Sequence, residues 1–98
     1  MKPFWTYMVQ CSDGSYYVGH TDNLEMRIAQ HNAGTYVCYT AERLPVKLVW
    51  SSEFSTRAEA LERERQLKGW SRAKKSALIC GDWEAIKVLS KNASTGSA

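Results

Sequence analysis

A tight turn at Ser12-Asp13-Gly14, set between two runs of alternating residues, does most to limit what this chain can fold into. Trp5–Cys11 (WTYMVQC) alternates bulky and polar residues, as a half-buried strand does. Ser15–His20 (SYYVGH) is a second short run, rich in aromatic and β-branched residues. The loop between them decides which side chains share a face. A two-residue Asp13-Gly14 loop, a good type I′ pair, would put Tyr7 and Tyr17 on opposite faces. A three-residue loop, Ser12-Asp13-Gly14, closes Cys11 against Ser15, Val9 against Tyr17 and Tyr7 against Gly19, and brings both tyrosines to one surface. The three-residue register is preferred, because such loops commonly want a left-handed residue last and Gly14 stands there. Gly19 then leaves room beside the Tyr7 ring.

The rest of the chain alternates helical and extended patterns. Thr21 and Asp22 are cap-type residues ahead of a helical stripe of Leu24, Arg27, Ile28 and His31, and Asn32-Ala33-Gly34 supplies a stop with Gly34 as a left-handed cap. Thr35–Leu44 is a connector holding Tyr36, Tyr39 and Thr40; it ends at Pro45, which disfavours helix just before it. Val46–Phe54 reads as a third strand. Ser55 or Thr56 then caps a second helix, with Glu59 placed for a capping box and Ala60, Leu61, Glu64, Leu67 and Lys68 along one stripe, and Gly69 ends it. Ser71 caps a third helix to about Ile79, Gly81 breaks it, and Asp82–Leu89 is a candidate short fourth helix. The order β-β-α-β-α-α predicts an α+β fold: a small three-stranded, mostly antiparallel sheet flanked by helices.

A chain of 98 residues supports one domain, expected over residues 1–90, with the small polar residues of 91–98 forming a flexible C-terminal tail. At 44% hydrophobic residues and four tryptophans, a core is feasible without metal or disulfide staples. Cys11, Cys38 and Cys80 include no Cys-x-x-Cys pair, which argues against zinc and thioredoxin-like redox sites and for buried or half-buried free thiols in a reducing cytoplasm. No apolar run reaches transmembrane length and the start MKPFW lacks the apolar segment of a signal peptide, so a soluble, cytoplasmic protein without a membrane partner is expected. The net charge of +3 permits nucleic-acid binding without demanding it. Its distribution says more: Arg63, Arg65, Lys68, Arg72, Lys74 and Lys75 crowd one segment with Trp70 among them. Such a segment either holds a phosphate backbone or is a solvated face that keeps the domain soluble.

Five residues stand out for chemistry. Glu64 lies in the apolar stripe of the second helix, flanked by Leu61 and Leu67. A carboxylate near a core needs a cation, a metal or hydrogen-bond donors, so Glu64 is either an edge residue paired with Arg or Lys or a ligand. Arg27 poses the mirror problem on the first helix: a salt bridge to the neighbourhood of Glu25 or to Glu64, or a guanidinium fork gripping a phosphate. His31, one turn on, shares the Arg27 face. Tyr7 and Tyr17 are core aromatics or proton-transfer groups; an unperturbed phenol titrates near ~10, and a cation nearby would stabilise phenolate.

The ordered set Tyr7, then Tyr17-Val18-Gly19, then Arg27 and His31 on a helix, then a helical glutamate, resembles the GIY-YIG nuclease domain, and most of all its small stand-alone bacterial members. The likeness covers the chain from about Trp5 to the Ala77–Ile79 region. Thr6-Tyr7-Met8 keeps only the tyrosine of Gly-Ile-Tyr, and Tyr17-Val18-Gly19 differs by one conservative residue. Several relatives carry an asparagine about a dozen residues after the glutamate, where Ser76 stands here.

The resemblance implies strand order 2-1-3, which the sequence alone does not fix. It implies that Glu64, four residues beyond Ala60, holds a single divalent ion, Mg²⁺ or Mn²⁺. Arg27 takes the place of the catalytic arginine, and His31 that of a histidine in related nucleases. Tyr7 and Tyr17 become candidates to orient or deprotonate water, with the choice between them open. His20 follows Gly19 at a place where relatives often have a small or cationic residue, and its role is open too. The expected activity is metal-dependent endonucleolytic hydrolysis of phosphodiester bonds in DNA or another nucleic acid, with Lys68, Arg72, Lys74 and Lys75 contacting the backbone. The alternative is a non-catalytic nucleic-acid-binding module of the same fold. A protein-interaction scaffold would rest on exposure of Trp70 and Trp83.

Overall fold

The hairpin closes in the three-residue register. In the computed structural model β1 (Phe4–Gln10) pairs antiparallel with β2 (Tyr16–Thr21), Tyr7 opposite Gly19 and Val9 opposite Tyr17. The Cys11 N–H donates to the Ser15 carbonyl at 2.8 Å, the Gly14 N–H donates to the Cys11 carbonyl at 2.9 Å, and Gly14 has φ 87°. Asp13 locks the turn: its carboxylate accepts from the Ser15 N–H at 3.0 Å, the Ser15 hydroxyl at 2.6 Å and the Arg43 Nε–H at 3.1 Å. The bonds from Ser15, helped by Arg43, hold the Asp13 carboxyl below the usual carboxylate range.

The structure describes residues 3–34 and 43–88; the connector expected at 35–42, with Tyr36, Cys38, Tyr39 and Thr40, and the tail at 91–98 lie outside the described residues. Two compact units part between Lys68 and Gly69.

In the first unit β3 (Lys47–Phe54) pairs antiparallel with the other side of β1, giving the sheet order β2-β1-β3 that the family resemblance implies. The β3 register slips once. Met8 faces Trp50 and Val9 faces Leu48, so Val49 is the extra residue of a β-bulge. As the central strand, β1 buries Thr6, Tyr7, Met8 and Val9 in succession, a continuous burial that strands covered on both faces show.

Cross-strand partners share a face, so the sheet has two distinct sides. One carries Tyr7, Val9, Tyr17 and Gly19, and α1 (Leu24–Ala33) covers it, Leu24 and Ile28 packing with Leu44 and Tyr17 against Tyr7, Val9, Cys11 and Val46. The other carries Thr6, Met8, Val18 and His20, and α2 (Arg57–Lys68) crosses it. The Thr6 hydroxyl fixes that helix by donating to the Ala60 carbonyl at 2.7 Å, and Ala60 is fully buried. A residue as small as alanine at this point lets the helix backbone come down onto the strand.

The helix caps follow the sequence with two corrections. The cap of α1 is Asn23, with φ −145° and its side chain accepting from the Met26 N–H, and not Thr21 or Asp22. Thr21 is still paired in β2, opposite Trp5, and its hydroxyl accepts from the Asn23 N–H at 3.1 Å, so the chain stays extended two residues longer. Gly34 closes α1 at φ 74°, as expected. Thr56 caps α2: it accepts from the Glu59 N–H at 3.2 Å and donates its hydroxyl to the Glu59 carboxylate at 3.0 Å. Gly69 follows α2 without a left-handed φ; among the described residues only Gly14, Gly34 and Gly81 have one.

In the second unit Ser71 caps α3 (Arg72–Cys80), and Gly81 ends it at φ 72°. Residues 83–88 are helical, and the Asp82 side chain accepts from the Ala85 N–H at 3.1 Å. Cys11 is a buried free thiol, whereas Cys80, at the end of α3, is exposed rather than buried. Trp83 is exposed and Trp70 half-buried. No helix among the described residues is long and apolar enough to cross a membrane.

Candidate active site

Among the described residues the sheet order leaves the far side of β2 without a strand neighbour, and there the two faces meet. A cleft of about 380 Å³ opens along this edge, lined by Tyr17, His20, Thr21, Asp22, Arg27, Arg57, Glu64 and Lys68. Period-two alternation sends Tyr17 to the α1 side and His20 to the α2 side of the same strand. Arg27 arrives from α1, and Glu64 and Lys68 arrive from α2. The cleft is thus built around a strand edge, with one wall from each helix.

Glu64 sits one turn beyond the buried Ala60, which brings its half-buried carboxylate beside β2. Its two oxygens have different partners. Oε1 accepts from His20 Nδ1 at 2.8 Å, so that nitrogen carries the proton. Oε2 meets Lys68 Nζ at 3.2 Å, one helical turn on. Glu64 is thus paired with Lys68 and His20. The Lys68 ammonium also lies 5.8 Å from the centroid of the Tyr17 ring.

Behind the cleft lies a buried pair. Tyr7 and His31 are both 0% exposed, and the Tyr7 hydroxyl is hydrogen-bonded to His31 Nε2 at 2.9 Å. The rings of Tyr7, Tyr17 and His31 form one cluster: Tyr17 to His31 is 5.5 Å between centroids at 67°, Tyr7 to His31 5.8 Å at 65°, and Tyr7 to Tyr17 6.5 Å. Burial first, and the Arg27 guanidinium second, push the His31 pKa below its ordinary value, favouring neutral imidazole. Gly19 shapes the same spot. A Cβ there would stand 2.6 Å from the Tyr7 hydroxyl and 2.7 Å from Cζ, so only a hydrogen fits. The clearance read from the sequence is a contact in the structure.

The residues singled out in the sequence thus fall into three places. Tyr17, Arg27, Glu64 and Lys68 line the cleft; Tyr7 and His31 stand behind it. Arg72, Lys74 and Lys75 belong to the second unit, on α3. There Arg72 is exposed, Lys74 Nζ rests 4.1 Å from the centroid of the Trp70 ring, and partial burial pushes the Lys75 ammonium below its ordinary pKa. Arg57 and Asp22 line the cleft without having been singled out for it. Arg57 is the first residue of α2, 5.1 Å over the Phe4 ring, and no periodic signal marks such a position. Asp22 read as a cap.

Two carboxylates, those of Asp22 and Glu64, line the cleft, and Glu64 is the one expected from the sequence to hold a metal. Among the described residues no group of three or more His, Cys, Asp or Glu forms a protein cage. A single carboxylate suits Mg²⁺, which keeps several waters and takes further oxygens from phosphate; it does not suit zinc, whose sites use three or four protein ligands.

Fold and site together define a small α+β domain with a charged cleft at a sheet edge, and residues 3–77 match the family model described as the GIY-YIG catalytic domain. The chain belongs to the GIY-YIG family, a nuclease family. It is 46% identical over 79 residues to a UPF0213 protein of Staphylococcus haemolyticus, an alignment that covers 81% of this chain and 96% of that one. It is also 46% identical over 73 residues to a UPF0213 protein of Halobacterium salinarum, covering 74% and 95%. Among solved structures, it is similar to the solution NMR structure of a UPF0213 protein of Bacillus halodurans, with TM-score 0.53 and 35% identity over 85% of this chain and 92% of that chain. A protein of E. faecalis, also solved by NMR, gives TM-score 0.57 and 36% identity over 83% and 86%.

Proposed function

We propose that the cleft at the β2 edge hydrolyses phosphodiester bonds in nucleic acid, DNA being the expected substrate, with one Mg²⁺ or Mn²⁺ held by Glu64. The observation that carries this reading is convergence: a phenol, a guanidinium and a carboxylate from three different elements open into one cleft of about 380 Å³. A bound divalent ion supplies Lewis-acid stabilisation at a phosphate oxygen. The remaining chemistry belongs to the chain. Tyr17 lines the cleft and orients or deprotonates the attacking water, while Tyr7, fully buried and bonded to His31, holds the Tyr17 ring in place. Arg27 stabilises the charge that gathers on the phosphate in the transition state, a task its planar donors suit. Lys68 and, on the second unit, Arg72, Lys74 and Lys75 contact the backbone.

One observation favours a second reading, a non-catalytic nucleic-acid-binding module: both Glu64 oxygens already have protein partners. The two readings part on Glu64→Ala. For an enzyme this change abolishes metal-dependent nicking of supercoiled, branched or single-stranded DNA, or cleavage of RNA, yet leaves affinity in metal-free buffer almost unchanged, because a carboxylate without an ion offers phosphate no attraction to lose. Arg27→Ala harms both binding and cleavage, and cleavage more. Tyr17→Phe keeps the ring and loses turnover. If wild type binds every substrate and cleaves none, the binding module stands.

A further inference from the structure

We infer that Lys68 is a resident cation on Glu64, exchanged for the divalent ion when the site loads and then released to the phosphate in the same cleft. The inference rests on the metal-dependent reading above. It starts from the division of labour on one carboxylate: Oε1 is held from the strand by His20 Nδ1 at 2.8 Å, and Oε2 from the helix by Lys68 Nζ at 3.2 Å. These bonds differ in what they tolerate. A histidine N–H fixes the carboxylate orientation, and such outer partners commonly accompany a metal-ligating carboxylate. An ammonium at 3.2 Å from Oε2 would be repelled by a divalent ion held on the same carboxylate. Three positive charges would then crowd within a few ångströms, and even at water-like screening the repulsion amounts to a tenfold or greater loss of affinity for the ion.

The structure lets Lys68 leave and keeps Glu64 where it is. The Lys68 side chain is 51% exposed and the Glu64 side chain 12%. Lys68 has a flexible four-carbon stem, whereas Glu64 is mostly buried and keeps its bond to His20 when Lys68 moves away. Its ammonium already lies over Tyr17 and lines the cleft with Arg27, so release delivers a point charge to the place where a phosphate would dock. Without an ion, the same contact keeps the carboxylate neutralised and stops it from repelling phosphate.

The test is binding of Mn²⁺ alone, without nucleic acid, read by electron paramagnetic resonance of the free ion and by calorimetry. Lys68→Met keeps the stem and removes the charge, and should bind Mn²⁺ about tenfold more tightly than wild type. Lys68→Arg, which keeps the charge, should not tighten binding. Glu64→Gln should abolish site binding in the wild-type and Lys68→Met backgrounds. If Glu64→Gln abolishes binding but Lys68→Met matches wild type or binds more weakly, the exchange is overturned and the metal site stands. If wild type, Lys68→Met and Glu64→Gln all bind alike, the ion does not sit on Glu64 and both readings fall. Circular dichroism of each variant checks folding, which an exposed residue such as Lys68 should not disturb.

Discussion

Gly19→Ala is the substitution that most directly tests how the aromatic cluster is held. The φ of Gly19 is not left-handed, so alanine meets no backbone penalty, and replacing glycine in a strand should return about 0.5–1 kcal/mol by reducing unfolded-state freedom. Against this stands the Tyr7 ring. The new Cβ would lie 2.7 Å from Cζ, short of ordinary carbon contact at about 3.5 Å by roughly 0.8 Å, and 2.6 Å from the hydroxyl. Tyr7 is 0% exposed and bonded to His31, so any shift of the ring disturbs buried neighbours and that bond. Overpacking of this kind costs about 1–3 kcal/mol, and weakening the buried Tyr7–His31 bond adds about 1 kcal/mol. The net expectation is a loss of about 1–3.5 kcal/mol, read as a lower urea midpoint at unchanged m-value. The source of the loss is tested by a double-mutant cycle with Tyr7→Leu, which removes both clashing atoms; Gly19→Ala should cost at least about 1 kcal/mol less in that background. A wild-type midpoint for Gly19→Ala, or an equal cost in both backgrounds, would refute the close contact.

Gly14→Ala, at φ 87°, should lower stability by about 1 kcal/mol or more, since a Cβ is penalised in the left-handed region; urea denaturation reads it. His31 ties stability to pH. Its folded pKa lies below the ordinary value of 6.5, so the unfolded state takes up the proton first as pH falls; the contribution is complete above about pH 6.5 and lost as pH drops through the folded value. Wild type should therefore weaken from pH 7 to pH 5, and His31→Gln should show a flatter slope over that window. Neutralising Arg72, Lys74 and Lys75 together should weaken binding to unrelated DNA sequences about equally and reduce the log–log salt slope by about one to two, less than three full contacts because Lys74 leans on Trp70 and Lys75 is partly withdrawn. Unchanged binding would make α3 a merely solvated face.

What the sequence makes legible here is local. The hairpin register follows from one glycine at a turn and the period of a strand, and both tyrosines land on one face as that arithmetic requires. The caps at Thr56 and Ser71 and the left-handed stops at Gly34 and Gly81 are signals carried by one or two residues. Less legible is whatever depends on two elements meeting. Glu64 stood out as a carboxylate in an apolar stripe, but its partner His20 lies 44 residues away and belongs to a different face from Tyr17. Neither periodicity nor composition could join them. Arg57 enters the cleft through the packing of α2 against the sheet. The cap at Asn23 was missed because Thr21 and Asp22 are equally good cap residues, and the choice was made by strand pairing, a tertiary effect.

Among the described residues the outer flank of β2 has no strand beside it, which bears on solubility. An outer strand offers its backbone to any other extended chain, and proteins commonly guard such strands with charge. Here the guard is the cleft itself: Asp22, Arg27, Arg57, Glu64 and Lys68 ring the flank of the strand. The groups proposed to handle phosphate therefore double as a barrier against strand-to-strand self-association. Variants that strip several of these charges at once should gather into oligomers as they lose activity, so a silent multiple mutant needs its sedimentation measured before its chemistry is judged. Single substitutions leave most of that barrier standing.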